Sequence, residues 1–200
     1  MNKSLIVDFI GSIQYTPEQI NEAIAQNNGK LIVGGVMQRG DAFNQNQRKY
    51  PIDVLKREAN KYKNVFVTEK RALGELDHPE SSVVNLANVS HNVVDLWWDG
   101  TDLMGKIEIL STPSGNIAKE LLKAGIRLGI SSRGMGSVKN LGEGKVEVQD
   151  DFEIVCWDLV SNPSTQGAFM GSLNEGVQQP IQDSKYSKVN SLIGDIITTM

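Results

Sequence analysis

The feature that most limits what this chain can fold into is a long predicted β-hairpin, NVSHNVVDLWWDGTDLMGKIEIL, over residues 88–110. Its two arms are rich in residues that favour strands, and Asp99-Gly100 between them is a strong signal for a two-residue turn. A hairpin of this length does not fit a strict alternation of strands and helices around a parallel sheet. We therefore expect a fold based on antiparallel sheet.

Three helices are predicted between the strands. Thr16 is the expected N-cap of the first helix, with Pro17 in the first turn and Gln19 placed to complete a capping box. The second helix is expected to begin at Pro51 and the third near Pro113. The residues predicted to face inward are Ile20, Ala23, Ile24, Ile52, Leu55, Ala59, Tyr62, Ile117, Leu121 and Leu122.

Short apolar and β-branched runs, bounded by turn residues, predict further strands. They are a first strand within MNKSLIVDFIGSIQ at the N-terminus, KLIVGGVM from Lys30, NVFVTEK from Asn64, RLGISSRGMGSV from Arg127, KVEVQ from Lys145 and FEIVCWDLVS from Phe152. Strands outnumber helices, which predicts an α+β fold or a β-barrel with helices around it.

The domain organisation follows from length and from a change in composition near Ser172. Two hundred residues suffice for one domain with its own hydrophobic core. The segment LNEGVQQPIQDSKYSKVNS is polar, and Tyr186 is its only aromatic residue. We expect a folded domain over residues 1–171 and a polar tail over residues 172–200.

Composition and charge argue against several classes of protein. The formal net charge is −4 without a basic block, which argues against a nucleic-acid surface. No apolar run approaches the ~20 residues that a bilayer span requires, and the N-terminus does not have the pattern of a signal peptide. The single cysteine, Cys156, lies in an apolar run and is expected to be a buried, inert thiol. No cofactor is expected.

The stretch ALGELDHP holds His78, one of only two histidines. Gly74 permits an unusual backbone turn and Pro79 restricts the residue before it, so this loop can hold an imidazole in one pose suited to proton transfer. Glu75-x-x-His78 has the spacing of carboxylate-bridged iron sites, but such sites need two copies of the motif on facing helices, and this chain has one. His91, in mid-strand, is expected to be structural. No metal site is expected.

The stretch GISSRGMG contains a candidate serine nucleophile. A serine hydroxyl attacks well only beside a base, with backbone N–H groups directed at the developing oxyanion. A turn over Ser131-Ser132-Arg133-Gly134 is expected to present such donors. A glycine-rich strand end is the alternative interpretation. The nucleophile elbow of α/β-hydrolases is excluded, because Arg133 and not glycine follows two positions after Ser131.

Asp158, in the stretch WDLVSNPS, is the candidate acid. It lies within an apolar strand, where a carboxylate is costly unless it is paired. With a histidine to orient, Asp158 becomes a third catalytic member. The alternative is an aspartate at a strand end that faces solvent.

Taken together, ALGELDHP, LWWDGTDLMGKIEIL, GISSRGMGSV and WDLVSNPS resemble the prohead core proteases of T-even-type tailed bacteriophages, which are serine peptidases that mature the capsid. The similarity extends from about Val33 to Ser164 and includes NQNQRKYP. That family resembles the herpesvirus assemblins, which implies a β-barrel surrounded by helices.

The resemblance also implies residue roles. His78 matches the general base, Ser131 the nucleophile and Asp158 the acid that orients the histidine. The residues that fall where the oxyanion loop would be are Ser132, Arg133 and Gly134. Four other acids are close enough in sequence to compete with Asp158, namely Asp77, Asp150, Asp151 and Glu153.

Substrates and location are likewise implied by the resemblance. They are the major capsid protein and the scaffold or core proteins, cleaved after Glu in Leu/Ile-x-Glu sites inside the prohead, in the cytoplasm of the infected host. Family members assemble into rings. Self-cleavage is expected after Glu175, which would release the tail, with Glu143 as a second candidate. The alternatives are a non-enzymatic scaffold or core protein and an unrelated serine esterase.

Overall fold

The predicted hairpin is present at the centre of the largest sheet. The computed structural model describes residues 4–10, 16–79 and 81–161, and its longest strands are β5 (Val89–Asp99) and β6 (Asp102–Ile109). Gly100 and Thr101 are the two turn residues, one position later than predicted, because Asp99 pairs with Asp102. Gly100 has φ +58°, as a type II′ turn requires at its first central position.

The described strands form three sheets. The first has the order β2-β6-β5-β4 and is antiparallel throughout; the second has the order β1-β7-β10 and is also antiparallel; the third has the order β3-β9-β8. The remaining strands are β1 (Ser4–Ile10), β2 (Leu31–Arg39), β3 (Arg48–Lys49), β4 (Leu73–Glu75), β7 (Gly129–Gly136), β8 (Val138–Gly142), β9 (Lys145–Val148) and β10 (Glu153–Val160).

The predicted mixture of many strands and few helices is confirmed, but the described strands do not close into a barrel. On one side β2 lies against β1 and β7 without joining their hydrogen-bonded ladder. On the other side the first sheet pairs with the second through an isolated parallel bridge, Leu76 to Leu159, and not through a continuous ladder. The barrel implied by the resemblance is thus replaced by separate sheets in the part of the chain that the structure describes.

The three predicted helices are α1 (Pro17–Gln26), α2 (Ile52–Tyr62) and α3 (Pro113–Lys123). The capping box is confirmed, since Gln19 N–H donates to Thr16 Oγ1 at 3.3 Å and Thr16 N–H donates to Gln19 Oε1 at 3.0 Å. Most of the predicted inward-facing residues are buried or half-buried. Ile117 is the exception at 55% exposed, so the stripe predicted on α3 is wrong at that position.

The strand predicted at NVFVTEK is wrong. Residues Lys63–Val67 instead continue α2 as a π-helical turn. Its aromatic residue packs back on the helix, with the rings of Phe66 and Tyr62 4.9 Å apart. Helical packing against the core here overrides the strand preference of two β-branched residues.

The helices of the described residues are too short or too polar to span a bilayer. The core lies between the sheets and the three helices, and Trp157 on β10 is its largest fully buried side chain. The expected polar tail lies outside the described residues.

Candidate active site

Two side chains that are 80 residues apart in sequence meet at the junction of the first two sheets. Nδ1 of His78, which follows β4, lies 2.9 Å from Oδ2 of Asp158 on β10. A carboxylate only accepts, so Nδ1–H donates and the proton-accepting lone pair of the neutral ring is on Nε2. Asp158 is fully buried, and the side chain of His78 is 10% exposed. The structure therefore brings together two of the three predicted catalytic residues.

The carboxylate of Asp158 accepts hydrogen bonds at both oxygens. Oδ2 also accepts from Arg133 Nε at 2.7 Å, and Oδ1 accepts from Arg133 Nη2 and from the Glu75 backbone N–H, each at 3.0 Å. Burial raises the pKa of Asp158, but the hydrogen bonds from His78 and Arg133 and the guanidinium charge outweigh it and lower the pKa. Asp158 is therefore ionised at neutral pH.

Arg133 is a fully buried side chain on β7 that joins three segments of the chain. Besides Asp158, it donates from Nη2 to Glu75 Oε1 at 2.7 Å and from Nη1 to the Ser81 carbonyl at 2.8 Å. Burial lowers the pKa of Arg133, but the hydrogen bond to Asp158 and nearby negative charge more than offset this and raise it. The guanidinium is thus a permanent cation among carboxylates.

The turn predicted over Ser131-Ser132-Arg133-Gly134 is wrong, because all four residues lie inside β7 with β1 on one side and β10 on the other. Gly134 serves close packing, since a Cβ there would lie 2.3 Å from the Phe152 ring. Their role in binding an oxyanion stays a prediction. The guanidinium of Arg133 supports Asp158.

The two serines face opposite sides of β7. Ser131 pairs with Asp158 across the ladder, and Ser132 pairs with Trp157. Directly paired residues of antiparallel strands place their side chains on the same face, and successive residues alternate between faces. Ser131 therefore shares a face with Asp158 and Arg133, while Ser132 faces the Trp157 side. Both serines are buried.

The loop that carries His78 is hydrogen-bonded to β10. Asp77 N–H donates to the Leu159 carbonyl at 2.8 Å, next to the Leu76–Leu159 bridge. Asp77 has φ +68°, a left-handed conformation that aspartate tolerates, and its side chain accepts from the backbone N–H of His78 at 2.9 Å. The chain therefore bends at Asp77, just before the imidazole.

Gly74 has a different role from the one predicted. It lies within β4 and its φ is not positive, so no unusual turn depends on it. A Cβ at Gly74 would lie 2.0 Å from the Trp157 carbonyl oxygen and 2.4 Å from His91 Nε2. Glycine is needed because strands of the two sheets approach closely here.

The competing acids lie elsewhere. Asp77 is exposed and contacts backbone, Asp150 pairs with Arg57, and Asp151 accepts from Ser137 N–H and Oγ at 2.9 Å. Glu153 is exposed at the start of β10. Among these acids, Asp158 is the one whose carboxylate contacts the imidazole of His78.

His91 and Cys156 are buried beside the site, as expected for structural residues. Nε2–H of His91 donates to the Trp157 carbonyl at 3.0 Å, and Nδ1 accepts from Ser90 Oγ at 2.9 Å. Burial lowers the pKa of His91 to about 4. Burial and the charge of Asp158 raise the pKa of Cys156 well above its usual range, so its thiol stays protonated.

Sequence reasoning missed the contacts of Glu75, which it considered as a metal ligand and as part of the Leu73-Gly74-Glu75 tripeptide. Glu75 is fully buried and binds Arg133. The signal that was available is its place in a short apolar strand, where a carboxylate requires a cationic partner; the identity of that partner was not available from sequence.

Comparison with known proteins decides the family. A family model described as prohead core protein serine protease matches residues 10–177. The chain belongs to this family. The resemblance inferred from the sequence is thereby confirmed, and the chain is a serine peptidase.

A sequence match and a structure match, both from bacteriophage T4, agree with this. The prohead core protein protease of Enterobacteria phage T4 is 33% identical over 144 residues, which cover 70% of this chain and 68% of the relative. The solved structure of the bacteriophage T4 capsid assembly protease, gp21, superposes with a TM-score of 0.70 at 26% identity, over 81% of this chain and 100% of that one. The mixed architecture described above is thus that of a prohead protease.

Proposed function

We propose that this prohead protease matures the phage capsid by cleaving scaffold and shell proteins inside the prohead, with Ser131 as nucleophile, His78 as general base and Asp158 as the acid that orients His78. The observation that carries the proposal is the hydrogen bond from His78 to Asp158, with Ser131 directly opposite Asp158 on the neighbouring strand.

The proposed reaction has two halves. Nε2 of His78 accepts the proton of the Ser131 hydroxyl while the oxygen attacks the scissile carbonyl, and the imidazolium then protonates the leaving amine. Water next attacks the acyl-enzyme with His78 again as base, releasing the acid product and free Ser131. Asp158 fixes the ring tautomer and stabilises the imidazolium in both halves.

The direct test incubates the purified full chain with the major shell protein of its own phage. We expect wild type and Ser132→Ala to cleave it and Ser131→Ala to be inactive. Ser132→Ala is the matched control, because it removes the adjacent hydroxyl from the opposite face of β7. Cleavage by Ser131→Ala together with loss in Ser132→Ala would move the nucleophile by one residue; cleavage by both variants would refute a serine mechanism at this motif.

Self-processing is proposed at Leu-x-Glu sites. Glu143 supports this, since its side chain is 85% exposed at the turn between β8 and β9. Glu75 in Leu73-Gly74-Glu75 is fully buried, which protects the site. Glu175 lies outside the described residues. Mass spectrometry of wild type beside Ser131→Ala tests both candidates: we expect Ser131-dependent cuts after Glu175 or Glu143, and an intact wild-type chain would contradict self-processing. Assembly into a ring remains part of the proposal.

A further inference from the structure

Glu75 is a second buried carboxylate next to the proposed catalytic acid. Its Oε1 accepts from Arg133 Nη2 at 2.7 Å and from the Asn85 backbone N–H at 3.0 Å. Its Oε2 is buried without a hydrogen-bond partner among the described residues. A carboxylate held in this way is costly, so a compensating role is expected.

The charges of this cluster indicate that role. Asp158 and Arg133 alone form a neutral pair. The guanidinium of Arg133 then offsets much of the attraction that the Asp158 carboxylate would exert on a second cation, the imidazolium of His78. The Glu75 carboxylate adds one negative charge at Nη2 of Arg133, the nitrogen that also donates to Asp158 Oδ1, so the three residues together carry −1. An imidazolium at His78 then makes the four-residue cluster neutral at the moment that acyl transfer requires it.

We propose that Glu75 is a positioning residue of the active site: its carboxylate neutralises Arg133, and Asp158 thereby keeps the net negative charge that a protonated His78 needs. The inference rests on the proposed function of His78 and Asp158. Glu75 does not contact the imidazole and acts through Arg133.

The other ionisable groups that face Asp158 do not supply this charge. Cys156 on β10 and Tyr62 on α2 have raised pKa values, chiefly through burial, and remain protonated. His91 on β5 has a pKa lowered to about 4 by burial and is neutral. Asp77 is exposed and binds a backbone N–H. Glu75 is therefore the buried anion available to offset Arg133.

Glu75 also contributes to holding residues 81–85, the segment that follows His78, in place. Asn85 N–H donates to Glu75, and Arg133 donates to the Ser81 carbonyl, so residues 81–85 are held by the same ion pair that supports Asp158. A purely structural role would act through this contact alone. The experiment must therefore separate charge from shape.

The experiment uses the full chain and measures the rate of Ser131 labelling by a fluorophosphonate probe from pH 5 to 9. Labelling forms a bond from Ser131 Oγ to phosphorus with loss of fluoride, and it needs the base but no particular peptide. Glu75→Gln keeps the acceptor oxygen and removes the charge. Glu58→Gln is the matched control, since Glu58 is a buried carboxylate on α2 that accepts from Arg57 Nε at 3.0 Å.

For Glu75→Gln we expect labelling to slow by about tenfold at pH 7.5. We also expect the acid limb of the pH–rate profile to move down by about half a pH unit or more, because an imidazolium is less favoured beside a neutral cluster. Glu58→Gln should change neither. Glu75→Asp, which keeps the charge, should restore the wild-type limb. If Glu75→Gln is labelled more slowly but its acid limb stays at the wild-type pH, Glu75 has only a structural role. An unchanged labelling rate would overturn the proposal.

The double variant Glu75→Gln/Arg133→Gln covers the case in which Glu75→Gln does not fold. It removes one charge of each sign, so neither position keeps an unpaired charge, and Asp158 retains His78 and the Glu75 backbone N–H as partners. Its cluster again carries −1, so we expect an acid limb at the wild-type pH; a limb shifted down would contradict the charge argument. Undiminished labelling of Ser131→Ala would instead refute the proposed nucleophile, whatever Glu75 does.

Discussion

The two histidines bind consecutive residues of the same strand, yet they have opposite characters. His78 contacts the Asp158 side chain, while His91 donates to the backbone carbonyl of Trp157. His91 is fully buried and has a pKa of about 4, whereas the side chain of His78 keeps 10% of its surface exposed beside a full negative charge.

The difference shows that the partner and the burial, rather than the ring, decide what a histidine does. A carbonyl dipole cannot offset the loss of hydration that an imidazolium suffers on burial, so His91 stays neutral and joins two sheets. An ionised carboxylate can stabilise a transient imidazolium, so the His78 position suits proton transfer. Both environments come from neighbouring residues of β10: the carboxylate of Asp158 binds His78, and the backbone carbonyl of Trp157 binds His91.

Replacing His78 should have the largest effect. We expect His78→Gln to lower peptidase activity by at least about 10³-fold, because the proposed general base is lost. Stability should change little, since Arg133 still holds Asp158. Peptide turnover and thermal unfolding measure the two quantities, and a variant within tenfold of wild-type activity would remove His78 from the mechanism.

Asp158→Asn should come next, with activity reduced on the order of 10³-fold. The substitution also leaves Arg133 with one carboxylate instead of two, which should cost a few kcal/mol in the free energy of unfolding. The pKa of Asp158 is lowered in the fold, so its contribution is present above the ordinary aspartate pKa, ~4, and is lost as the pH falls through the folded value. Denaturant titrations at pH 7 and pH 3.5 should show a smaller difference between variant and wild type at the acid pH.

His91 should govern stability between about pH 6.5 and pH 4. In that range the unfolded chain binds a proton at this imidazole and the folded chain does not, so the free energy of unfolding falls as the pH falls, by up to about 1.4 kcal/mol per pH unit. His91→Gln should be less stable than wild type at pH 7 but lose stability less steeply on acidification. Urea titrations across this range test the slope, and equal slopes for both proteins would show that His91 does not carry it.

The smallest effect is expected at the hydroxyl that supports His91. Ser90→Ala removes the donor to Nδ1 and leaves a buried acceptor unpaired, at a cost of about 1–2 kcal/mol. Activity should be unchanged when it is assayed below the unfolding transition. A large loss of activity without loss of stability would mean that His91 affects catalysis as well as structure.

Much of the fold could be predicted because its signals are local. The capping box at Thr16 and the turn glycine at Gly100 act within a few residues, and both are present. The errors lie where distant contacts decide. Residues 63–67 are helical because Phe66 packs on Tyr62, and Ile117 lies outside the buried stripe that Ala118 and Leu122 form on α3. Neither outcome can be derived from the spacing of apolar residues in the sequence.

For the site, strand alternation places Ser131 and Arg133 on one face, but the register that puts Asp158 opposite Ser131 is a tertiary fact. The hydrogen bond from the Glu75 N–H to the Asp158 carboxylate is also a tertiary contact, because the two residues are 83 positions apart in sequence. Chemical type identified the candidate residues. Their partners, and the function of Arg133 as a cation among carboxylates instead of a turn residue, required coordinates.

The junction at Leu76 and Leu159 has a further consequence. The proposed base, His78, follows a strand of the first sheet, whereas Ser131 and Asp158 lie in the second sheet. The Leu76–Leu159 bridge and the hydrogen bonds next to it hold the two sheets together at this point. A nascent or partly unfolded chain, whose two sheets have not yet docked, lacks the contact between His78 and Asp158. We therefore expect peptidase activity to appear only when folding is complete.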